Sequence, residues 1–386
     1  MNTNQILTGP GGIAARLAPS VAAVASQLAE SNEMPEALVR EMRDSGALRL
    51  LTPTELGGTE APLTTVLEVY EELGRIDASV ALQVWNSNFG FIGALLGAEG
   101  NARIWRDNQP EPVFANGGTP GRAEVDPDGY RVSGTWRMIS GIAHADWVVL
   151  STLVTEGGVT RMTENGPDFR LVAVPADQVT VKDTWHVSAL RATGSNGIIL
   201  ENVLVPAALA ARLDRPARID RPLYRGFLPS IVVPGPAAIV LGIAASAIDE
   251  LVELAKTKRT PTGELLSGLP RVQSAVAECD ADLRAARELL FSAARRLQSA
   301  AEAGAMPDAR ERAALRAAMS HAAKVSRRVL VTMYELGGST SLYTGNALER
   351  QFRDGMAALQ HFNLTPDAFV GAGRVRFGLD PEMPFF

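Results

Sequence analysis

The sequence predicts an α+β chain in three successive zones: helical, then β, then helical again. Three observations predict this. Helical periodicity runs through residues 10–112, short β-branched runs between Gly, Pro and Asp clusters fill 113–215, and long Ala- and Leu-rich amphipathic segments occupy 228–375. Helices and strands are segregated rather than alternating, which argues against a doubly wound parallel sheet.

In the first zone Pro35, Leu38, Val39 and Met42 share one helical face, and Gly46 follows as a stop. Residues 64–76 repeat the pattern through Val66, Leu67, Val69, Tyr70 and Leu73. The segment around Trp85 is more apolar and is predicted to be buried. In the second zone Gly129–Trp136 alternates after an Asp126-Pro127-Asp128-Gly129 turn, and strands are predicted at 147–153, 170–174, 179–181 and 197–205. Strands at this spacing suggest a β-barrel or small sandwich. In the third zone the segments 237–256, 272–304 and 308–336 are long enough, and closely enough connected, for a helical bundle. The apolar tail, Met383 to Phe386, reads as packed on its own domain or, alternatively, as an intersubunit contact.

Composition narrows the function. With 46% hydrophobic and 21% charged residues in 386, the chain is long enough to bury a large core. A net charge of -6 without clustered Lys and Arg leaves no footprint for nucleic acid or an anionic membrane. The apolar run 231–247 reads as a buried helix rather than a membrane span. The single cysteine, Cys279, excludes an intramolecular disulfide, and no secretory leader is read, so a cytoplasmic location is expected.

Among chemical motifs, the four histidines, His144, His186, His321 and His361, show no metal-ligand spacing, so no metal is expected. A nucleophile elbow and a P-loop are absent, and the glycine cluster at 371–378 leaves no room for a βαβ unit. His321 reads as structural within its helix. His361, which follows a helix carrying Arg350, Arg353 and Asp354, is the preferred functional histidine, because imidazole can act as a base near neutral pH. The segment Leu190–Gly197 reads either as a loop between strands or as a cradle whose backbone N–H groups hold a cofactor. Trp85 reads as a core aromatic or as a pocket wall.

Five motifs occur in one order: Gly134–Gly141 followed by Ala145-Asp146-Trp147, then Leu190–Asn196, Asn202–Pro206, Leu336-Gly337-Gly338 and Glu349–Asp354. In that order they resemble the acyl-CoA dehydrogenase superfamily over nearly the whole chain. The resemblance implies an N-terminal helical domain over 1–112, a central β-barrel domain over 113–227 and a C-terminal four-helix bundle over 228–386. It also implies a flavin, FAD or FMN, held in a homotetramer or homodimer. Asp183–Ser188, Arg191–Asn196 and Phe352-Arg353-Asp354 followed by Gln360-His361 are similar to the group D flavin-dependent monooxygenases of that superfamily. The thioester-desaturating branch needs a carboxylate base. The two positions where it stands read Leu359-Gln360-His361-Phe362 and Ile231-Val232-Val233, with no acid in either.

The resemblance therefore implies a monooxygenase that takes reduced flavin from a separate flavin reductase. With O2 as co-substrate, it would oxygenate a small aromatic or heteroatom-bearing compound through a flavin C4a-hydroperoxide. It places His361 and Ser140 as catalytic, His361 either as a base toward an acidic substrate group or as the donor that positions the peroxide's distal proton, and Ser140 beside flavin N5. Cofactor contacts are implied for Asn116, Met138 (where relatives carry a stacking tryptophan), Ser195, Arg259, Gly337 and Gly338, and substrate contacts for Trp85, Asn86 and Asn88. The alternatives are a flavoenzyme oxidising a CoA or carrier-protein thioester, with or without subsequent oxygenation, and a catalytically silent scaffold of the same fold.

Overall fold

A computed structural model describes residues 7–106, 111–164, 166–226, 228–383 and 386. Among the described residues six α-helices come first: α1 (Ile13–Ala23), α2 (Ala25–Glu30), α3 (Glu36–Asp44), α4 (Leu63–Ile76), α5 (Ala78–Ser87) and α6 (Ala98–Ile104). Strands follow as β1 (Phe114–Asp126), β2 (Gly129–Ile139), β3 (Trp147–Glu156), β4 (Val159–Thr160), β5 (Met162–Thr163), β6 (Gly166–Pro167), β7 (Phe169–Pro175), β8 (Thr180–Lys182), β9 (Asn196–Pro206) and β10 (Ala210–Arg212). Helices then return as α7 (Pro222–Arg225), α8 (Pro229–Val232), α9 (Gly235–Thr257), α10 (Pro270–Glu302), α11 (Ala309–Gly337), α12 (Ala347–Ala358) and α13 (Asp367–Arg376).

The long helices form where the periodicity predicts them. Asp308 starts α11 with a capping box, accepting from the Glu311 N–H while Glu311 takes the Asp308 N–H. α9, α10, α11 and α12 pack together, and α4 from the first zone lies along α9. Two glycines permit that contact: a Cβ at Gly74 would lie 2.5 Å from the Ile239 carbonyl oxygen, and one at Gly242 would lie 2.1 Å from that of Glu71. The segment 229–257 is long and apolar enough to cross a membrane by length and composition, but it is mostly buried inside the fold. Burial by protein makes it the core helix of the bundle. At the chain end Phe386 packs against Gly371, Val375 and Met383, and Arg312 donates to its backbone oxygen. The predicted tail contact is thus intramolecular at Phe386, while Pro384 and Phe385 lie outside the described residues.

The β zone differs from the sequence expectation in two ways. The hydrogen-bonded path runs β10-β7-β3-β1-β2-β9-β8 and does not return on itself among the described residues, so the predicted barrel is an open mixed sheet. Its centre is a parallel pair, β1 with β3, a pairing that needs a crossover and cannot be read from hairpin turns. The second difference is β1 itself, which was not predicted as a strand. Gly117, Gly118, Pro120 and Gly121 depress strand propensity there. The structure explains those glycines. The fully buried indole of Trp136 lies across Gly117, Gly121 and Gly134, and donates to the Ser151 carbonyl at 3.3 Å. A Cβ at Gly121 would stand 2.2 Å from Trp136 Cζ2. Gly121→Ala is therefore expected to cost about 1–3 kcal/mol through overpacking, read as a lower urea midpoint; an unchanged midpoint would contradict this packing.

Candidate active site

The site is assembled from α5, the rims of β1 and β2, the 190–196 turn and the residues after α12. Asp77 caps α5, accepting from the Val80 N–H at 3.0 Å, and Arg350 of α12 pairs with its second oxygen. This pins the helix that carries Trp85 and Asn86. Trp85 donates its indole N–H to the Val232 carbonyl at 2.9 Å and packs against Gly235, where a Cβ would fall 2.1 Å from the indole. Asn86 is buried and bridges two strands. Its amide donates to the Ser140 carbonyl at 2.7 Å, and its oxygen accepts from Asn116 Nδ2 at 2.6 Å.

Ser140 follows β2 and is half-buried. Its hydroxyl lies 2.7 Å from Ser195 Oγ, which lies 2.7 Å from Thr193 Oγ1, which donates to the Leu190 carbonyl at 2.8 Å. The 188–196 segment is held from outside by α12: Asp354 accepts the Leu190 N–H at 2.9 Å, and Arg353 donates to the Ser188 carbonyl. Arg350, Arg353 and Asp354 thus act as anchors of the site's framework.

His361 completes the cluster. Its ring meets Trp85 edge-on at 4.9 Å and stacks on Phe362 at 4.8 Å. A Cβ at Gly118 would lie 4.0 Å from the Phe362 ring, so this aromatic wall faces the β1 rim. Burial pushes the imidazole down to about 4, so it is neutral at physiological pH. The Asn363 N–H donates to Nδ1 at 3.2 Å, so the neutral ring carries its proton on Nε2 and offers it as a donor.

The two chain positions without an acid converge here: Val232 on the Trp85 indole N–H, and His361 on the Trp85 ring edge. Among the described residues no Asp or Glu joins the Ser140–Asn86–Asn116 network. Asp354, which borders it, is spent on Leu190 and the arginines. No group of three potential metal ligands occurs among the described residues.

A flat cofactor fits this rim. Met138 sits on the β2 edge at φ 56 with 69% of its surface exposed, where the register to β9 shifts between Trp136 and Ile139. A non-glycine residue held there costs on the order of 1 kcal/mol and calls for a functional reason. Met138, Ser140, Ser195 and Asn116 are the residues of this rim that would hold such a group.

Family models for the acyl-CoA dehydrogenase N-terminal and C-terminal domains match residues 13–104 and 235–366. An indole-3-acetate monooxygenase of Pseudomonas putida is 30% identical, with 87% of this chain and 85% of the relative covered. This chain belongs to the acyl-CoA dehydrogenase superfamily. Within it the chain falls with the flavin-dependent monooxygenases. The oxygenase subunit HsaA of a Rhodococcus jostii flavin-dependent monooxygenase is 26% identical over 94% of this chain and 97% of its own. A solved structure of XiaF from Streptomyces sp., in complex with FADH2 and glycerol, superimposes with a TM-score of 0.85 at 25% identity, covering 96% of this chain and 97% of that one. The expected superfamily fold and flavin-dependent oxidoreductase class are borne out, and these relatives favour oxygenation over thioester oxidation.

In this superfamily member Trp85, Asn86, Asn116, Ser140, Ser195 and His361 come together. Asn88 does not join them. It is buried, its oxygen takes the Leu50 N–H at 2.7 Å, and its amide donates to the Ala47 and Val84 carbonyls, each at 2.8 Å. All its polar capacity is spent on backbone, so it braces the turn after α5. Gly337, Gly338 and Arg259 also lie elsewhere, near the start of α12, while His361 follows its end about 18 Å away at 1.5 Å per residue. Lys258, not Arg259, touches Gly337 there, while Arg259 folds back onto the Gly263 carbonyl at 2.6 Å. Sequence reasoning passed over Thr193 and Phe362. A hydroxyl–glycine–hydroxyl triplet, Thr193-Gly194-Ser195, was the available signal for the first.

Proposed function

We propose that this protein is the oxygenase component of a two-component system. It takes reduced FAD or FMN from a separate flavin reductase and uses O2 to oxygenate a small aromatic or heteroatom-bearing compound. One observation carries the reading: both positions where a desaturase would hold its proton-abstracting acid meet at Trp85 and His361, and neither supplies a carboxylate. The names borne by the relatives, oxygenase subunit and indole-3-acetate monooxygenase, support it.

Reduced flavin, when bound, supplies the two electrons that activate O2; one oxygen atom enters the substrate and the other leaves as water. Ser140 would hold the flavin's reactive edge. Asn86 fixes the Ser140 carbonyl and Asn116 relative to each other. His361 presents its Nε2 proton to the reacting oxygen, and of the two roles expected for it, base or donor, the tautomer supports the donor. Trp85, which is buried, would wall the substrate site on its inner side, with the exposed Phe362 ring at its mouth. Gly337, Gly338 and Arg259 stand apart from this cluster, so a flavin contact by them would fall to the far end of FAD or, in a homotetramer or homodimer, to a neighbouring copy.

The test is direct. Purified protein is mixed with chemically reduced FAD or FMN, oxygen and a panel of phenols and indoles. The expected result is an oxygenated product without any thioester. Bleaching of bound oxidised FAD by an acyl-CoA, without reductant, would replace this reading with a dehydrogenase. Failure to bind either flavin in either redox state would leave a scaffold.

A further inference from the structure

We infer that Thr193 and Ser195 are positioning residues that lock the Ser140 hydroxyl as a hydrogen-bond acceptor, so that the site selects N5-protonated, reduced flavin over oxidised flavin. The inference rests on the proposed flavin site and adds the direction of its proton chain.

Each hydroxyl has one proton to give. The chain ends on the Leu190 carbonyl, which can only accept, so Thr193 spends its proton there at 2.8 Å. Thr193 can then only accept from Ser195, and Ser195, its proton committed, can only accept from Ser140. At the far end Ser140 has given its proton inward and faces the cofactor with lone pairs alone. Reduced flavin carries a proton on N5 and satisfies that acceptor. Oxidised flavin presents a bare N5 lone pair against it.

The chain is built to stay in this direction. Thr193 and Ser195 are 2% and 3% exposed, so no bulk water reaches them to reverse it. Gly194 sits at φ 52 between them, a left-handed turn that brings hydroxyls two residues apart within 2.7 Å. The Leu190 carbonyl is oriented by a backbone held at φ 53, with its N–H bound by Asp354 at 2.9 Å. The Gly141 N–H donates to the Thr193 carbonyl at 2.8 Å, tying the 193–195 turn to the Ser140 turn. A hydroxyl free to rotate would serve both redox states equally; this one cannot.

The experiment measures dissociation constants for reduced and oxidised flavin under anaerobic conditions, for wild type, Thr193→Val, Thr193→Ser and Ser195→Ala. Wild type is expected to bind reduced flavin at least about tenfold more tightly, the worth of roughly one hydrogen bond. Thr193→Val, which keeps shape and removes the relay, is expected to erase most of that preference, and Ser195→Ala to do the same. Thr193→Ser is expected to keep it. The Thr193→Val, Ser195→Ala double variant should match the singles, because one chain cannot be broken twice. Retention of the wild-type ratio by a folded Thr193→Val or Ser195→Ala protein would overturn the relay alone. A wild type that binds both redox states equally would overturn the relay and weaken the oxygenase reading with it.

Discussion

His361→Phe is expected to lower oxygenated product by about a hundredfold, while binding of reduced flavin stays within about twofold of wild type. Phenylalanine keeps the ring contacts with Trp85 and Phe362 but has no Nε2 proton for the reacting oxygen. Electrons from reduced flavin should then appear as hydrogen peroxide, so the ratio of product to peroxide is the measurement. His361→Gln, which restores a donor amide, should recover part of the product. Product formation by His361→Phe at the wild-type rate would remove His361 from the chemistry.

The same residue makes a pH prediction. Its imidazole is held down at about 4 by burial, against about 6.5 in an unfolded chain. Between those values the unfolded state binds the extra proton and the folded state does not. Stability contributed by neutral His361 is therefore complete above about 6.5, falls as pH drops towards 4, and is flat below that. The whole loss is at most about 3 kcal/mol, trimmed by solvent because the ring is only half-buried. Wild type should lose this amount relative to His361→Phe across that window. Activity, in turn, should show no imidazole titration near 6.5.

Asp77→Ala carries the largest expected loss of stability, about 3 kcal/mol. The Asp77 side chain is 2% exposed and meets Arg350, itself 23% exposed. Removing the carboxylate deletes the α5 cap and leaves a guanidinium that cannot shed its charge. Arg350 keeps Asp354 at 3.7 Å and the Ala25 carbonyl at 3.3 Å, which holds the loss to the lower end for such pairs. The reverse change, Arg350→Met, should cost less. Burial already raises the Asp77 carboxyl, so without Arg350 it can take a proton and become neutral. Urea midpoints of the two variants test the order; a milder Asp77→Ala would contradict it.

Much of this was legible in the chain. The long helices, the Asp308 cap and the alternating strands from Gly129 onward announce themselves through local periodicity. So did His361, because a missing acid is visible as letters. Strand β1 was not legible: its glycines read as loop until the Trp136 indole, contributed by a different strand, shows what they make room for. Asn88 looked like Asn86 two residues earlier, and only packing separates an amide spent on backbone from one bridging Asn116 and Ser140.

By itself the sequence determined the order of helices and strands, the superfamily and the absence of a carboxylate base, since each depends on residue type and near-neighbour spacing. Tertiary structure alone decided the open mixed sheet, the tautomer of His361 and the direction of the Ser140–Ser195–Thr193 chain. The last two depend on which carbonyl or N–H stands within about 3 Å of a side chain: the partners of His361 and Thr193 lie two and three residues away and are presented by the folded shape of their turns, while the Ser140–Ser195 contact joins residues 55 apart.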